Sequence, residues 1–200
     1  MQGHRTLCLG QGRELAWARA PRPLTVDQVL EVFRMKTAPA FEVALRLGAI
    51  LAGCDDRVGS VLKQYSESLG IAYQIRDDLE DLRSPDGIEL CASRRPSVLL
   101  ALAYEMGDEA KRKQIERQWD PSATDADRQQ VRQIVSAQEV ELAAMRLMES
   151  YQAQAIGSLI ALKNANLKGL LRRVMGKIFN DFEIMGCCKD HPPRHAPRRD

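Results

Sequence analysis

No histidine lies between residues 5 and 190. Cys54 and Cys91 therefore have no imidazole in that span to draw off a thiol proton, and they read as core or loop residues rather than nucleophiles. The five cysteines follow no regular spacing; an odd, irregular set is not a disulfide framework and points to a reducing, cytoplasmic compartment. No apolar run approaches the ~20 residues of a membrane span. The opening "MQGHRTLCLGQG" has no apolar core of signal-peptide length, and the closing "RRD" is no prenylation box. An excess of one charge is also missing. Lys and Arg number 29 against 27 Asp and Glu, a net +2, which argues against nucleic acid or an anionic membrane as the main partner. No internal repeat is present, and no segment alternates in the manner of a strand.

What is present is helical periodicity, in a chain of 200 residues, 44% hydrophobic and 28% charged, long enough for one domain with a core of its own. A first segment covers about 5–19, and "PRP" at 21–23 ends it. Thr25 is placed to cap a long helix through "VDQVLEVFRMKTAPAFEVALRLGAILAG". Pro39 falls inside that pattern and predicts a break near residues 36–38. A third helix follows "CDD" and ends at about Leu82. "RSPDGIELCASRRP" reads as a loop, "SVLLALAYEM" as a short buried helix, and "GDEAKRKQIERQW" as a polar surface helix. One amphipathic stretch spans about 125–163, and a last helix about 167–182. Helix after helix with short connections predicts an all-α bundle. Residues 1–186 are expected to form it, and 187–200, rich in Pro, Arg and His, a disordered tail. The "CCKDHPPRHAP" of that tail lacks zinc-site spacing, and Pro192–Pro193 prevent His191 and His195 from aligning on a helix.

The third helix carries "YQIRDDLEDL", with Asp77, Asp78, Glu80 and Asp81 in its last turns. Carboxylates there oppose the helix dipole and repel one another. In projection Ile71, Ile75, Leu79 and Leu82 form one apolar stripe. Roughly opposite lie Ser66, Gly70, Tyr73, Gln74, Asp77 and Asp81, a small or polar stripe with no Lys or Arg. Asp78 flanks the apolar side, and Glu80 lies between the faces. A solvated acidic surface is one reading. The other is a divalent cation held by Asp77 and Asp81, since Mg²⁺ needs only one or two carboxylates when phosphate oxygens and water complete its shell. Gly70 in mid-helix costs about 1 kcal/mol relative to Ala, which predicts a close neighbour.

On the second helix, Val29, Phe33, Ala40, Ala44, Leu47 and Leu51 share one face, into which Lys36 projects with Thr37 at its edge. Lys36 either snorkels to water or meets an anion at an internal cavity. A lysine, a hydroxyl and a carboxylate–metal cluster facing one cavity make a diphosphate site.

Taken together, "MKTAPAFEVALRLGAILAG" and the later "YQIRDDLED" resemble the trans-type polyprenyl (isoprenyl) diphosphate synthases. Their second aspartate-rich motif, [FY]-Q-x-x-D-D-x-x-D, is complete here as Tyr73, Gln74, Asp77, Asp78 and Asp81. Their Lys-Thr pair matches Lys36–Thr37, and their Gly-Gln matches Gly10–Gln11. The resemblance covers about residues 5–180. It implies the isoprenoid-synthase helical bundle and Mg²⁺-dependent condensation of isopentenyl diphosphate with an allylic prenyl diphosphate, through an allylic carbocation. It also implies roles: Asp77 and Asp81 on metal with Asp78 in support, Lys36 on diphosphate, and Thr37 and Gln74 positioning substrate and proton acceptor. Gln11, Tyr73 and Arg94 are further candidate substrate contacts, with Arg95 the alternative to Arg94.

Departures accompany the match. No first aspartate-rich motif occurs, nor the N-terminal basic residues that hold isopentenyl diphosphate. Asp55–Asp56 is no substitute, because it sits in a helix connection. No Lys stands beside Gly87, and Glu14 takes a place where Asp is common. The expectation is a bundle lacking its N-terminal helices, a fragment or truncation of a synthase, homodimeric or paired with a related one. A catalytically silent, dimerising homologue is the alternative, and a squalene- or terpene-type enzyme the more distant one. Product length is unreadable without the first motif.

Overall fold

The structure, a computed structural model, describes residues 2–83 and 95–180. The expected C-terminal tail and most of the loop after the aspartate motif lie outside these residues. Nine α-helices follow one another among the described residues, with no strand: α1 (Gln2–Arg19), α2 (Val26–Lys36), α3 (Ala38–Leu51), α4 (Asp56–Arg83), α5 (Val98–Met106), α6 (Glu109–Arg117), α7 (Asp125–Val135), α8 (Gln138–Ser158) and α9 (Ala165–Phe179). No described helix is long and apolar enough to cross a membrane.

The helix starts follow from short-range chemistry. Thr25 caps α2 in a reciprocal box with Gln28, and Thr124 caps α7 in the same way with Asp127, so two otherwise unpaired N–H groups are satisfied at each start. Asp108 and Asn164 accept from the third residue of α6 and α9. Asp55 does the same for the Val58 N–H at 3.0 Å, which gives the "DD" at 55–56 a capping role.

The break at Pro39 falls where the sequence puts it. α2 ends at Lys36, Thr37 is the joint (φ −111°, ψ −45°), and Pro39 sits in the first turn of α3, where a missing N–H costs nothing. The joint has a consequence that projection through it does not foresee. Val29 and Phe33 are buried, whereas Ala40, Ala44, Leu47 and Leu51 are exposed, Leu51 to 89%. The expected continuous apolar face is therefore wrong. The one-residue joint resets the helical phase, and α3 turns Phe41, Leu45 and Ala49 to the core instead.

The stretch at 125–163 also departs from expectation. It is two helices and a 3-10 turn (Leu159–Ala161), broken at Ser136–Ala137, where Ala137 is extended (φ −62°, ψ 135°). Val135 and Val140 are both buried. On one continuous helix they would lie about 140° apart; the break brings both to the same core.

α4 is the axis of the molecule. Its C-terminal half, Ile71, Ile75, Leu79 and Leu82, joins Val29, Phe33, the apolar side of α5, Ile115, Val131, Val135, Val140 and Ala144 in one cluster. Its N-terminal half, Leu62, Tyr65 and Leu69, packs with Ala155, Leu159, Leu171 and Met175 in another. The buried Tyr65 hydroxyl donates to the Leu171 carbonyl at 2.8 Å, and burial raises its pKa. A central helix buried against both clusters is rigid, which suits it to carry a site on its remaining face.

Candidate functional site

Two glycines position the α2–α3 joint. A Cβ on Gly70 of α4 would stand 2.8 Å from both Cα and N of Ala38. A Cβ on Gly10 of α1 would stand 2.7 Å from the Met35 carbonyl carbon and 2.8 Å from the Lys36 nitrogen. Real side chains do not reach that close, so both helices press against the joint because they carry hydrogen there. The neighbour predicted for Gly70 is the backbone just beyond Lys36–Thr37.

This packing orients the lysine. With α1 drawn in at Gly10, Glu14 lies one turn on and accepts from Lys36 Nζ at 2.6 Å. Glu14 is largely buried and Lys36 is partly exposed, so the ammonium is tethered rather than snorkelling free. The Thr37 N–H donates to Phe33 O at 3.0 Å, and its hydroxyl makes no capping bond with α3. Gln11, beside Gly10, is half-buried.

Seven residues beyond Gly70, about 10 Å along the axis, Asp77 begins the acidic turns. Gln74 Nε2 donates to Asp77 Oδ2 at 3.2 Å. Arg76 lies on the other side of Asp77, 3.3 Å from Oδ1, and 3.2 Å from Glu80. Its guanidinium stacks on Tyr73 at 4.5 Å and over Phe179, and donates to the Ile178 carbonyl at the end of α9. Burial outweighs Arg76 and pushes the Asp77 carboxyl above its ordinary value. The polar stripe itself lacks cations, as expected, but opposite charges do alternate at i, i+4 through Arg76–Glu80.

Asp78 points elsewhere. It is buried, 3% exposed, and its Oδ2 accepts from the Val98 N–H at 2.7 Å, at the first residue of α5. Arg95 lies 3.8 Å from its other oxygen and also pairs with Asp81. Burial pushes the Asp78 carboxyl up to about 6, with the Val98 N–H and Arg95 opposing. A carboxylate at a helix N-terminus meets its positive end, so Asp78 ties α4 to α5. Its neighbours turn outward because successive residues on a helix diverge by about 100°.

The structure thus gathers Gly10, Glu14, Lys36 and Thr37 at the joint, and Gln74 and Asp77 farther along α4. Asp78 and Asp81 meet through Arg95. Among the described residues no hydrogen bond or ion pair links the joint to the aspartates, and no three His, Cys, Asp or Glu side chains converge on a point. Two grooves of about 630 and 680 Å³ beside α1 and α2 include none of the predicted site residues. Arg94 lies outside the described residues. Sequence reasoning missed Arg76, although it stands inside the motif at i+4 spacing to Glu80. A two-carboxylate Mg²⁺ site would fall to Asp77 and Asp81, each of which lies beside an arginine. They lie one turn apart and half-buried, and burial holds the Asp77 carboxyl above its ordinary value despite Arg76.

Comparison with known proteins bears on the family and the fold. The polyprenyl synthetase family matches residues 2–138. The short chain isoprenyl diphosphate synthase of Methanocaldococcus jannaschii is 28% identical over 98 residues, which cover 46% of this chain and 30% of that protein. The farnesyl diphosphate synthase of Escherichia coli is 38% identical over 77 residues, 38% of this chain and 25% of the relative. The matched segments therefore span less than a third of the length of these relatives. In solved structures, a polyprenyl synthase from Roseobacter denitrificans superposes with a TM-score of 0.78 at 24% identity, over 90% of this chain and 60% of its own. A Corynebacterium glutamicum geranylgeranyl pyrophosphate synthase complexed with isoprenyl diphosphate and magnesium gives 0.74 at 20%, over 89% and 53%; at these identities the likeness shows the fold. Matched over more than half its length by one family, and sharing its helical architecture, this chain belongs to the polyprenyl synthetase family.

Proposed function

We propose that this chain forms the diphosphate-binding half of a prenyl-transfer site, of the kind that joins isopentenyl diphosphate to an allylic prenyl diphosphate. One observation carries the reading. Ala38, the residue just after Lys36–Thr37, is seated against Gly70, on the helix face that presents Gln74, Asp77 and Asp81 over the following turns. A cation, a hydroxyl and paired carboxylates along one rigid face are what a metal-bound diphosphate requires. Names among the relatives, isoprenyl and farnesyl diphosphate synthases, support the substrate class. A fold neighbour bound to isoprenyl diphosphate and magnesium supports the cofactor.

Asp77 and Asp81 would hold Mg²⁺, whose charge stabilises a departing diphosphate. Lys36, already oriented by Glu14, contacts diphosphate oxygens. The Thr37 hydroxyl and the Gln74 amide position the isopentenyl substrate and the group that receives its proton, and Gln11 and Tyr73 border the same region. Asp78 acts through α5, which it anchors. A first aspartate-rich motif, which the other face of such a site would need, does not occur in these 200 residues. The assembly expected is a homodimer or a pair with a related synthase, in the cytoplasm.

A second reading, a catalytically silent helical subunit beside an active synthase, draws on the arginines that already occupy Asp77 and Asp81. Calorimetry with inorganic diphosphate separates the two. Mg²⁺-dependent binding that Asp77→Ala abolishes supports the half-site, whereas no binding with or without Mg²⁺ leaves only the silent subunit. Turnover with isopentenyl and allylic diphosphates, measured with and without a related synthase, then reports whether the half-site is completed by a partner.

A further inference from the structure

The two arginines at the aspartate motif are held in different ways. Arg76 is fixed from several sides, by the Ile178 carbonyl, by the rings of Tyr73 and Phe179, and by two carboxylates. Among the described residues Arg95 is held by carboxylates alone. Its Nη2 serves Asp81 and lies 3.8 Å from Asp78, and its Nε is buried without a partner among the described residues. Asp78 cannot follow Arg95 outward, because its other oxygen is bound to the Val98 N–H. Asp81, at 43% side-chain exposure, has no partner besides Arg95 among the described residues.

From this asymmetry we infer that Arg95 is a resident counter-cation of the motif, and that a divalent cation engages Asp81 only as the guanidinium withdraws from it. The inference rests on the metal reading above and deepens it. A guanidinium and a metal ion need the same carboxylate oxygens, and two cations within a few ångströms in a half-buried site repel strongly. Arg95 thereby keeps the like-charged Asp77, Asp78 and Asp81 compatible with the fold while no metal is bound. It also sets a threshold of metal, or of metal with diphosphate, below which the motif stays closed. Arg95 is the arginine more readily moved, since among the described residues only carboxylates hold it, whereas Arg76 is also held by a backbone carbonyl and two rings.

Mn²⁺ titration followed by the electron paramagnetic resonance of the free ion tests this on the whole chain. Arg95→Gln removes the competing charge and is expected to tighten Mn²⁺ binding about fivefold or more, the scale of a modest coupling between two ligands. Arg95→Lys keeps the charge and is expected to stay near wild type. Equal or weaker binding by Arg95→Gln overturns the inference and leaves the metal site standing. No Mn²⁺ binding by either wild type or Arg95→Gln overturns the metal reading and the inference with it. Should Arg95→Gln fail to fold, the wild-type protein still decides. The Arg95 side-chain Nε–Hε resonance is expected to shift as Mg²⁺ saturates, and an unmoved resonance refutes displacement.

Discussion

Replacing Gly70 by alanine isolates the contact on which the site depends. In an open helix the change stabilises by about 1 kcal/mol, because alanine loses less backbone freedom than glycine. At Gly70 the added methyl meets Ala38 Cα and N at 2.8 Å and Ala38 Cβ at 3.1 Å, well inside the ~3.5–4.0 Å of a relaxed carbon contact. The obstacle is backbone, so no side chain can swing aside. Inserting a methylene-sized group into such packing costs about 1–3 kcal/mol. The net expectation is a loss of about 0–2 kcal/mol. Gly12, in the interior of α1 with nothing within 4 Å of its Cβ position, is the internal standard. Gly12→Ala is expected to gain up to about 1 kcal/mol, and the two variants to differ by about 1–3 kcal/mol. Urea titration followed by helical circular dichroism measures both. Diphosphate affinity should fall in Gly70→Ala alone, because the α2–α3 joint is pushed off α4 and carries Lys36 and Thr37 with it. Equal stabilisation of both variants would refute the reasoning, since it would mean that the joint does not rest on Gly70.

Asp78 is expected to tolerate asparagine and not alanine. Asp78→Asn keeps an acceptor for the Val98 N–H and removes a buried charge, whereas Asp78→Ala strands that N–H and should cost about 1–3 kcal/mol in a urea titration. The α7 capping box supplies an acid-side dependence. The Thr124 hydroxyl and N–H hold the Asp127 carboxyl below its ordinary value. A depressed folded pKa means that the unfolded chain binds more protons in this range, so the contribution is present above the ordinary carboxylate value near 4 and disappears as pH falls through the depressed folded value. Asp127→Asn, compared with wild type by thermal melting between neutral pH and pH 2–3, should lose that part of the acid sensitivity.

The helices and the residue types of the site were legible in the sequence because both depend on short-range pattern. Thr25 before an apolar-periodic run, Pro39 within one, and four apolar residues at 71, 75, 79 and 82 each act within a turn or two of themselves. The failures share a different cause. The face predicted through Ala40, Ala44, Leu47 and Leu51 assumed one continuous helix, whereas α2 ends and α3 begins at the Thr37 joint. The break at Ser136–Ala137 has no glycine or proline to announce it; it exists because Val135 and Val140 are drawn into one core. The roles of the three aspartates were also only partly readable. Projection separated Asp78 from Asp77 and Asp81, but the Val98 N–H that claims Asp78 lies twenty residues away, at the start of another helix.

By itself the sequence determined an all-α chain, the Thr25 cap of α2, the break at the Thr37 joint and an acidic turn in which Asp77 and Asp81 share a face. Each of these is decided by neighbours within about two turns of helix. Tertiary structure alone decided that Gly10 and Gly70 grip that joint from two sides, that Glu14 holds Lys36, that Arg76 is pinned to the end of α9, and that Arg95 spans Asp78 and Asp81. These are contacts between segments distant in sequence, and they depend on how tightly two backbones approach and which charges then fall within reach. A helical pattern read one residue at a time carries no information about either.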